Sequence, residues 1–197
     1  GTGLASLLRG LKREHTDLTA IVTVADDGGS SGRLRRELGI LPPGDIRNCI
    51  VALAEEEPLL SKMFNYRFEG DSALQGHSLG NLLIAAMTDS MRGFDHAILA
   101  ASEVLAIRGA IYPSTLEHVR LRATLEDGDV LLGETAISGE HIVGSQVPEH
   151  AKISRLEIEP AGAEPVNQAG EDIPAGTVRS QIMTGFGVGG EWLEFLG

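Results

Sequence analysis

Hydrophobic spacing divides the chain into two textures, with the change near residue 110. In the first part apolar residues recur every three or four positions, the spacing of one helix face. Leu4, Leu7, Leu8 and Leu11 form such a face, as do Ile46, Ile50, Val51 and Leu53 within IRNCIVALAEEE. PLLSKMFNYRF, SLGNLLIAAMTDSM and residues 95–107 predict three more helices, and 33–38 a short one closed by Gly39 as C-cap. Between them, TAIVTVA at 19–25 is β-rich and apolar throughout, as in a parallel strand buried on both faces. In the second part the period drops to two. VRLRATL at 119–125 alternates, Asp127-Gly128 signals a hairpin, 130–137 can return as the partner strand, and 153–158 alternates again. The expectation is an α/β body over 1–109, with parallel strands and helices on its faces. A small antiparallel β insertion over 110–160 belongs to the same domain. The tail, 161–197, begins with a linker-like AGAEPVNQAGEDIPAG and stays unplaced.

Between the first strand and the next helix stands ADDGGSSGR, residues 25–33. Such a loop lies at the carboxyl edge of a parallel strand, where α/β folds bind ligands. Gly28 and Gly29 allow close backbone approach, and the N–H groups of Gly29, Ser30 and Ser31 can accept an anion at a helix start. Asp26 and Asp27 repel a bare phosphate. They suit a ligand that also offers hydroxyls or a bridging divalent cation such as Mg2+, for which they are the candidate ligands. Asp27, in so glycine-rich a loop, is expected to pack against little. The competing reading is a solvated turn with a capping box. Two further segments share the loop's character. LPPGDIRNC puts Asp45, Arg47 and Asn48 at the start of a helix, with Asp45 as N-cap. GHSLGNLLIAA puts His77, Ser78, Gly80 and Asn81 at another helix start. GHSLG has the outline of a nucleophile elbow but follows a polar loop, not a strand, which argues against a serine hydrolase. At the head of the chain, Gly1-Thr2-Gly3 with Ser6 outlines a dinucleotide fingerprint without its strand. The chain is therefore expected to start inside a βα turn, leaving TAIVTVA with an unpaired edge that invites self-association into a homo-oligomer.

Charge and cysteine content narrow the field. The net charge is −12, which opposes non-specific binding to nucleic acid. No apolar run approaches the ~20 residues of a membrane span. One cysteine, Cys49, allows no internal disulfide and favours a cytoplasmic setting.

In order, GTGL, TVADDGGSSGRLRRELGILPPGDIRNC and GHSLGNLLIAA closely resemble the YvcK-type gluconeogenesis factor family, one branch of the CofD-like proteins. The other branch holds 2-phospho-L-lactate transferase. The resemblance covers residues 1–165. It implies a Rossmann-like α/β fold with a β-rich insertion in a bacterial, cytoplasmic protein. It also implies a regulator of growth on gluconeogenic carbon sources and of cell shape that binds UDP-sugars such as UDP-N-acetylglucosamine. The alternative it carries is a magnesium-dependent transfer of phospholactate. A third reading is an NAD-binding module, since Asp26 lies 23 residues after Gly3, near the position of a ribose reader. By position, the resemblance puts Gly1, Thr2 and Gly3 in a first phosphate loop and Asp26 and Asp27 in the ligand-facing loop. Asp45, Arg47 and Asn48 fall in a second segment, and His77, Ser78, Gly80 and Asn81 in a third. Family members carry a strand and further glycines before the segment matching GTG. They also continue after the segment matching 155–165 into a GPGSLYTS-type motif. EDIPAGTVRSQIMTGFGVGG departs from that pattern, so the tail is expected to be divergent or truncated.

Overall fold

The computed structural model describes residues 2–14, 17–55, 58–138, 152–160, 185–188 and 191–194. Helix α1 (Thr2–Leu11) leads to β1 (Leu18–Val22), and five helices follow before the next strand. They are α2 (Gly29–Leu38), α3 (Gly44–Leu53), α4 (Pro58–Asn65), α5 (Leu79–Met91) and α6 (Phe94–Val104). Strand β2 (Ala110–Pro113) then pairs parallel with β1, Thr19 opposite Ala110 and Val22 opposite Pro113. A long helical crossover between parallel neighbours is the unit expected of an α/β fold. The insertion is a separate antiparallel sheet in the order β4-β3-β5, from β3 (Val119–Leu125), β4 (Val130–Leu132) and β5 (Ile153–Pro160). Its hairpin turns at Gly128 (φ +93), where the Gly128 N–H donates to the Leu125 carbonyl.

The core gathers on α3. Ile46, Cys49, Ile50, Ala52 and Leu53 are fully buried, and they join Leu8 of α1, Ala20 and Val22 of β1, Phe64 of α4, Ile84 of α5 and Ile98 of α6 in one cluster. The face foreseen from Ile46, Ile50 and Leu53 is thus buried, but on every side, because α3 meets α1, α4, α5, α6 and both parallel strands. Burial pushes the Cys49 thiol up to about 12, so it is a small core residue and not a nucleophile.

Several expectations are corrected. The first strand ends at Val22, not residue 25. The Ser114 N–H takes the Val22 carbonyl, and Thr23–Ala25 run on outside the ladder toward the loop. Thr19 and Ile21 are only half-buried, so β1 is not covered equally on both faces. Its second edge is not unpaired: β6 (Gly185–Val188) lies antiparallel along it, and β7 (Glu191–Glu194) along β6. The larger sheet, β2-β1-β6-β7, is therefore mixed, and part of the unplaced tail belongs to it. The linker-like 161–176 lies outside the described residues. Strand 130–137 is shorter than expected. Gly133 (φ +90) ends it after Leu132, and the chain turns into helix α7 (Glu134–Ser138).

Candidate functional site

The DDGGSSG segment is less a loop than a helix start. α2 begins at Gly29, four residues earlier than its sequence suggests, with Gly28 in extended geometry as N-cap. The two serines explain the difference. They are poor helix formers in isolation, yet here both are buried and their hydroxyls bind other helices. Ser31 Oγ accepts the Gly44 N–H at 3.0 Å, at the first residue of α3. Ser30 Oγ lies 2.9 Å from His77 Nδ1 and accepts Asn81 Nδ2 at 3.1 Å, which ties α2 to the start of α5. Ser78 is the N-cap of α5, its Oγ accepting the Asn81 N–H at 3.2 Å. Its hydroxyl is fully buried in this cap, with no elbow geometry around it. Three helix N-termini, those of α2, α3 and α5, thus meet around Ser30 and Ser31. Each carries N–H groups without intrahelical partners and the positive end of a helix dipole.

Around this junction lie carboxylates. Asp26 Oδ1 accepts the Gly28 N–H at 2.9 Å. Loss of hydration raises the Asp26 pKa most. The Gly28 N–H and the Ser31 hydroxyl oppose the rise, and Asp45 and Asp27 add to it by repulsion. Asp45 is a buried residue in the first turn of α3, not its N-cap, which is Pro43. Gly44 must be glycine at this spot: a Cβ there would stand 2.4 Å from Ser31 Oγ and 3.2 Å from Asp26 Oδ2. Glu134, exposed at the start of α7, is pushed up by loss of hydration and then by Asp26 and Asp45, which puts it beside the same group.

Asp27 does not stand free. Its Oδ1 accepts both the Thr135 N–H at 2.9 Å and the Thr135 hydroxyl at 2.8 Å. A Cβ on Gly133 would meet Asp27 Oδ2 at 1.8 Å. The expectation that Asp27 packs against little is therefore corrected: it pins the β insertion to the α/β body.

Arg47 is buried on the third side. It donates to Asn65 Oδ1 at 2.9 Å, to the Phe64 carbonyl at 3.3 Å and to Asn48 Oδ1 at 2.7 Å. Gly80 permits this, because a Cβ there would lie 2.8 Å from Arg47 Cδ. Two side-chain atoms of the region are buried without a hydrogen-bond partner, Arg47 Nε and Asn81 Oδ1, one donor and one acceptor. Such orphans are costly unless something external satisfies them. The loop bearing His77 is held by Arg33, which donates to the Ala73 and Gln75 carbonyls, and by Arg67, which donates to the Gly76 carbonyl.

The structure therefore brings Asp26–Ser31, Asp45, Arg47, Asn48, His77, Ser78, Gly80 and Asn81 together. The head of the chain opens α1. Gly1 lies outside the described residues, Thr2 is already helical, and Gly3 is exposed within α1, not in a loop before it. Glu134, Thr135, Arg33 and Asn65 were not foreseen. The first two sit in a stretch that reads as a strand, Arg33 closes the ADDGGSSGR segment without a role of its own there, and Asn65 carries no local motif.

For a divalent cation the fit is partial. Among the described residues no three His, Cys, Asp or Glu side chains lie close enough together to hold an ion. Asp26, with Asp45 beside it, can supply one or two carboxylate oxygens. Mg2+ held by so few protein ligands takes the rest of its shell from water and ligand phosphates.

A family model described as 2-phospho-L-lactate transferase CofD matches residues 1–178. The chain belongs to the CofD family. Within it, the chain is 50% identical over 167 residues to the gluconeogenesis factor of Bacillus subtilis, covering 84% of this chain and 50% of that protein. It is 48% identical over 174 residues to the gluconeogenesis factor of Halalkalibacterium halodurans, covering 88% of this chain and 51% of that one. A crystal structure of a Bacillus halodurans protein superposes with a TM-score of 0.74 at 47% identity, over 86% of this chain and 51% of that chain. The chain thus spans about half the length of these relatives. No helix among the described residues is long and apolar enough to cross a membrane.

Two outcomes follow from this geometry. Asp27→Ala removes both hydrogen bonds to Thr135, and urea unfolding is expected to show a loss of about 1–3 kcal/mol; an unchanged midpoint would remove Asp27 from its pinning role. The second concerns pH. Burial, then Arg33, lowers the His77 pKa, and burial, then Arg35, lowers that of His118. Both resist the proton that the unfolded chain accepts as pH falls through the ordinary value of 6.5, so stability falls with pH in the window just below it. Asp26 and Glu134, with raised values, act in the opposite sense nearer their ordinary 3.8 and 4.5. Urea midpoints at pH 7.5 and 5.5 are expected to fall on acidification, and less steeply in His77→Gln. An equal slope in that variant would place the dependence elsewhere.

Proposed function

We propose that this chain forms the nucleotide-handling half of a cytoplasmic sugar-nucleotide-binding regulator, with a UDP-sugar such as UDP-N-acetylglucosamine as ligand. In that role it would govern growth on gluconeogenic carbon sources and cell shape. The observation that carries the reading is the meeting of three helix N-termini at Ser30 and Ser31 beside Asp26 and Asp45. Helix starts attract the charge of a diphosphate. The carboxylates suit sugar and ribose hydroxyls, or an Mg2+ carried in with the phosphates. Asn81 Oδ1 and Arg47 Nε offer an acceptor and a donor that a ligand would satisfy. Names of close relatives support the regulatory side, being gluconeogenesis factors and not transferases. No catalytic step is assigned.

The second reading, magnesium-dependent transfer of phospholactate, is favoured by the description of the matching family model. It asks the same Asp26 and Asp45 to hold the metal. An NAD-binding module has less support, because it rests on the glycine spacing at the head of the chain alone.

Thermal and calorimetric titration with UDP-N-acetylglucosamine, GDP and NAD separates the three. At 100 times its dissociation constant a ligand stabilises the fold by about 2.7 kcal/mol. UDP-N-acetylglucosamine is expected to do so at the lowest concentration. Tighter binding of GDP would favour the transferase reading, and of NAD the dinucleotide one.

A further inference from the structure

The outer strand of the small sheet, β5, has β3 on one side, and among the described residues no strand lies on the other. We propose that this edge pairs antiparallel with β5 of a second copy of the chain, about a two-fold axis at Leu156.

Burial along β5 is uneven. Ile158 stands opposite Leu121, and both pack against the main core. Leu156 belongs to the same face, because side chains two apart in a strand point the same way. Its neighbour across the ladder, Ala123, is fully buried, yet Leu156 is 57% exposed. The cover over this face therefore stops between β3 and β5, and an apolar side chain stands open at the edge. The charges beside it say what fits there. Exposed edges are commonly blocked by charged side chains. Here the residues flanking Leu156 are of opposite sign: Arg155, 69% exposed, and Glu157, paired with each other at 2.7 Å. In an antiparallel pairing centred on Leu156, residues at equal distances from the axis stand opposite each other. Arg155 then faces Glu157 of the second copy, Glu157 faces its Arg155, and the two Leu156 side chains meet. Opposite charges directly across a ladder stabilise it, and like charges destabilise it. Centring the pair on Arg155, Glu157 or Ile158 instead sets like charges against each other. The register of β5 with β3 is regular from Arg155 to Pro160, so the bulge near the start of β5 leaves the centre of the pairing intact. A net charge of −12 opposes association at long range. At physiological ionic strength that repulsion is screened beyond about 8 Å, while contacts across a ladder are closer than this. The proposal does not rest on the sugar-nucleotide reading.

Sedimentation velocity of the chain at physiological ionic strength, from micromolar to submillimolar concentration, tests it. A monomer–dimer equilibrium is expected, with no larger species, because a two-fold contact closes on itself. Arg155→Glu and Glu157→Arg are each expected to weaken the dimer by about tenfold, since like charges then stand opposite at both ends of the pairing. An equimolar mixture of the two variants is expected to recover the dimer, because the acidic strand of one then faces the basic strand of the other. Neither variant keeps the Arg155–Glu157 pair within its own chain, so recovery on mixing arises only between copies. Leu156→Lys, which sets two cations on the axis, is expected to be monomeric. Thermal unfolding of each variant checks that the fold is intact. A chain that stays monomeric throughout the range would overturn the proposal, as would a dimer that these variants leave unchanged or that mixing fails to restore.

Discussion

The hydroxyl of Ser30 is the point on which the site depends. It is buried, and a buried hydroxyl must be satisfied. Asn81 donates to it, and its own proton is then available to His77 Nδ1, an arrangement that suits the neutral ring implied by the lowered His77 pKa. One atom thereby fixes the distance between two helix starts that lie 51 residues apart in sequence. Ser31 does the same for α3. Because these bonds occupy side chains and not the first N–H groups of α2, the helix start keeps its capacity for an anion while being held in position by its neighbours.

That arrangement is costly on its own terms. Asp26 is raised by loss of hydration and by Asp45, and Asn81 Oδ1 and Arg47 Nε are buried without partners. Strained electrostatics and orphaned polar atoms gathered in one place are what a binding site retains and a purely structural region removes. The pinning of the β insertion through Asp27 and Thr135 closes the same region from the far side. One short stretch, Asp26–Ser31, is therefore in contact with two other helix starts and the insertion.

Much of this was legible in the residues, and the parts that were not share a cause. The periodicity of Ile46, Ile50 and Leu53 located the central helix, and VRLRATL matched β3 residue for residue. The start of α2 is hidden in the sequence because Gly29, Ser30, Ser31 and Gly32 have weak helix propensity; bonds of the two serines to His77, Asn81 and Gly44 hold them in the helix, and those partners lie 13 or more residues away. The same holds for Glu134 and Thr135, whose strand-like context hides a reversal at Gly133. At the head of the chain, Thr2 and Gly3 open α1. Spacing identifies candidate residues, but contacts distant in sequence decide which of them meet.

The central claim is that the starts of α2, α3 and α5 form one ligand cradle. Backbone amide chemical shifts, recorded while UDP-N-acetylglucosamine and Mg2+ are added, test it most directly. The account predicts that the largest shifts fall together on residues 28–32, 44–48 and 76–81 and saturate at a single concentration. Shifts confined to one of these segments, or centred elsewhere in the chain, would contradict it.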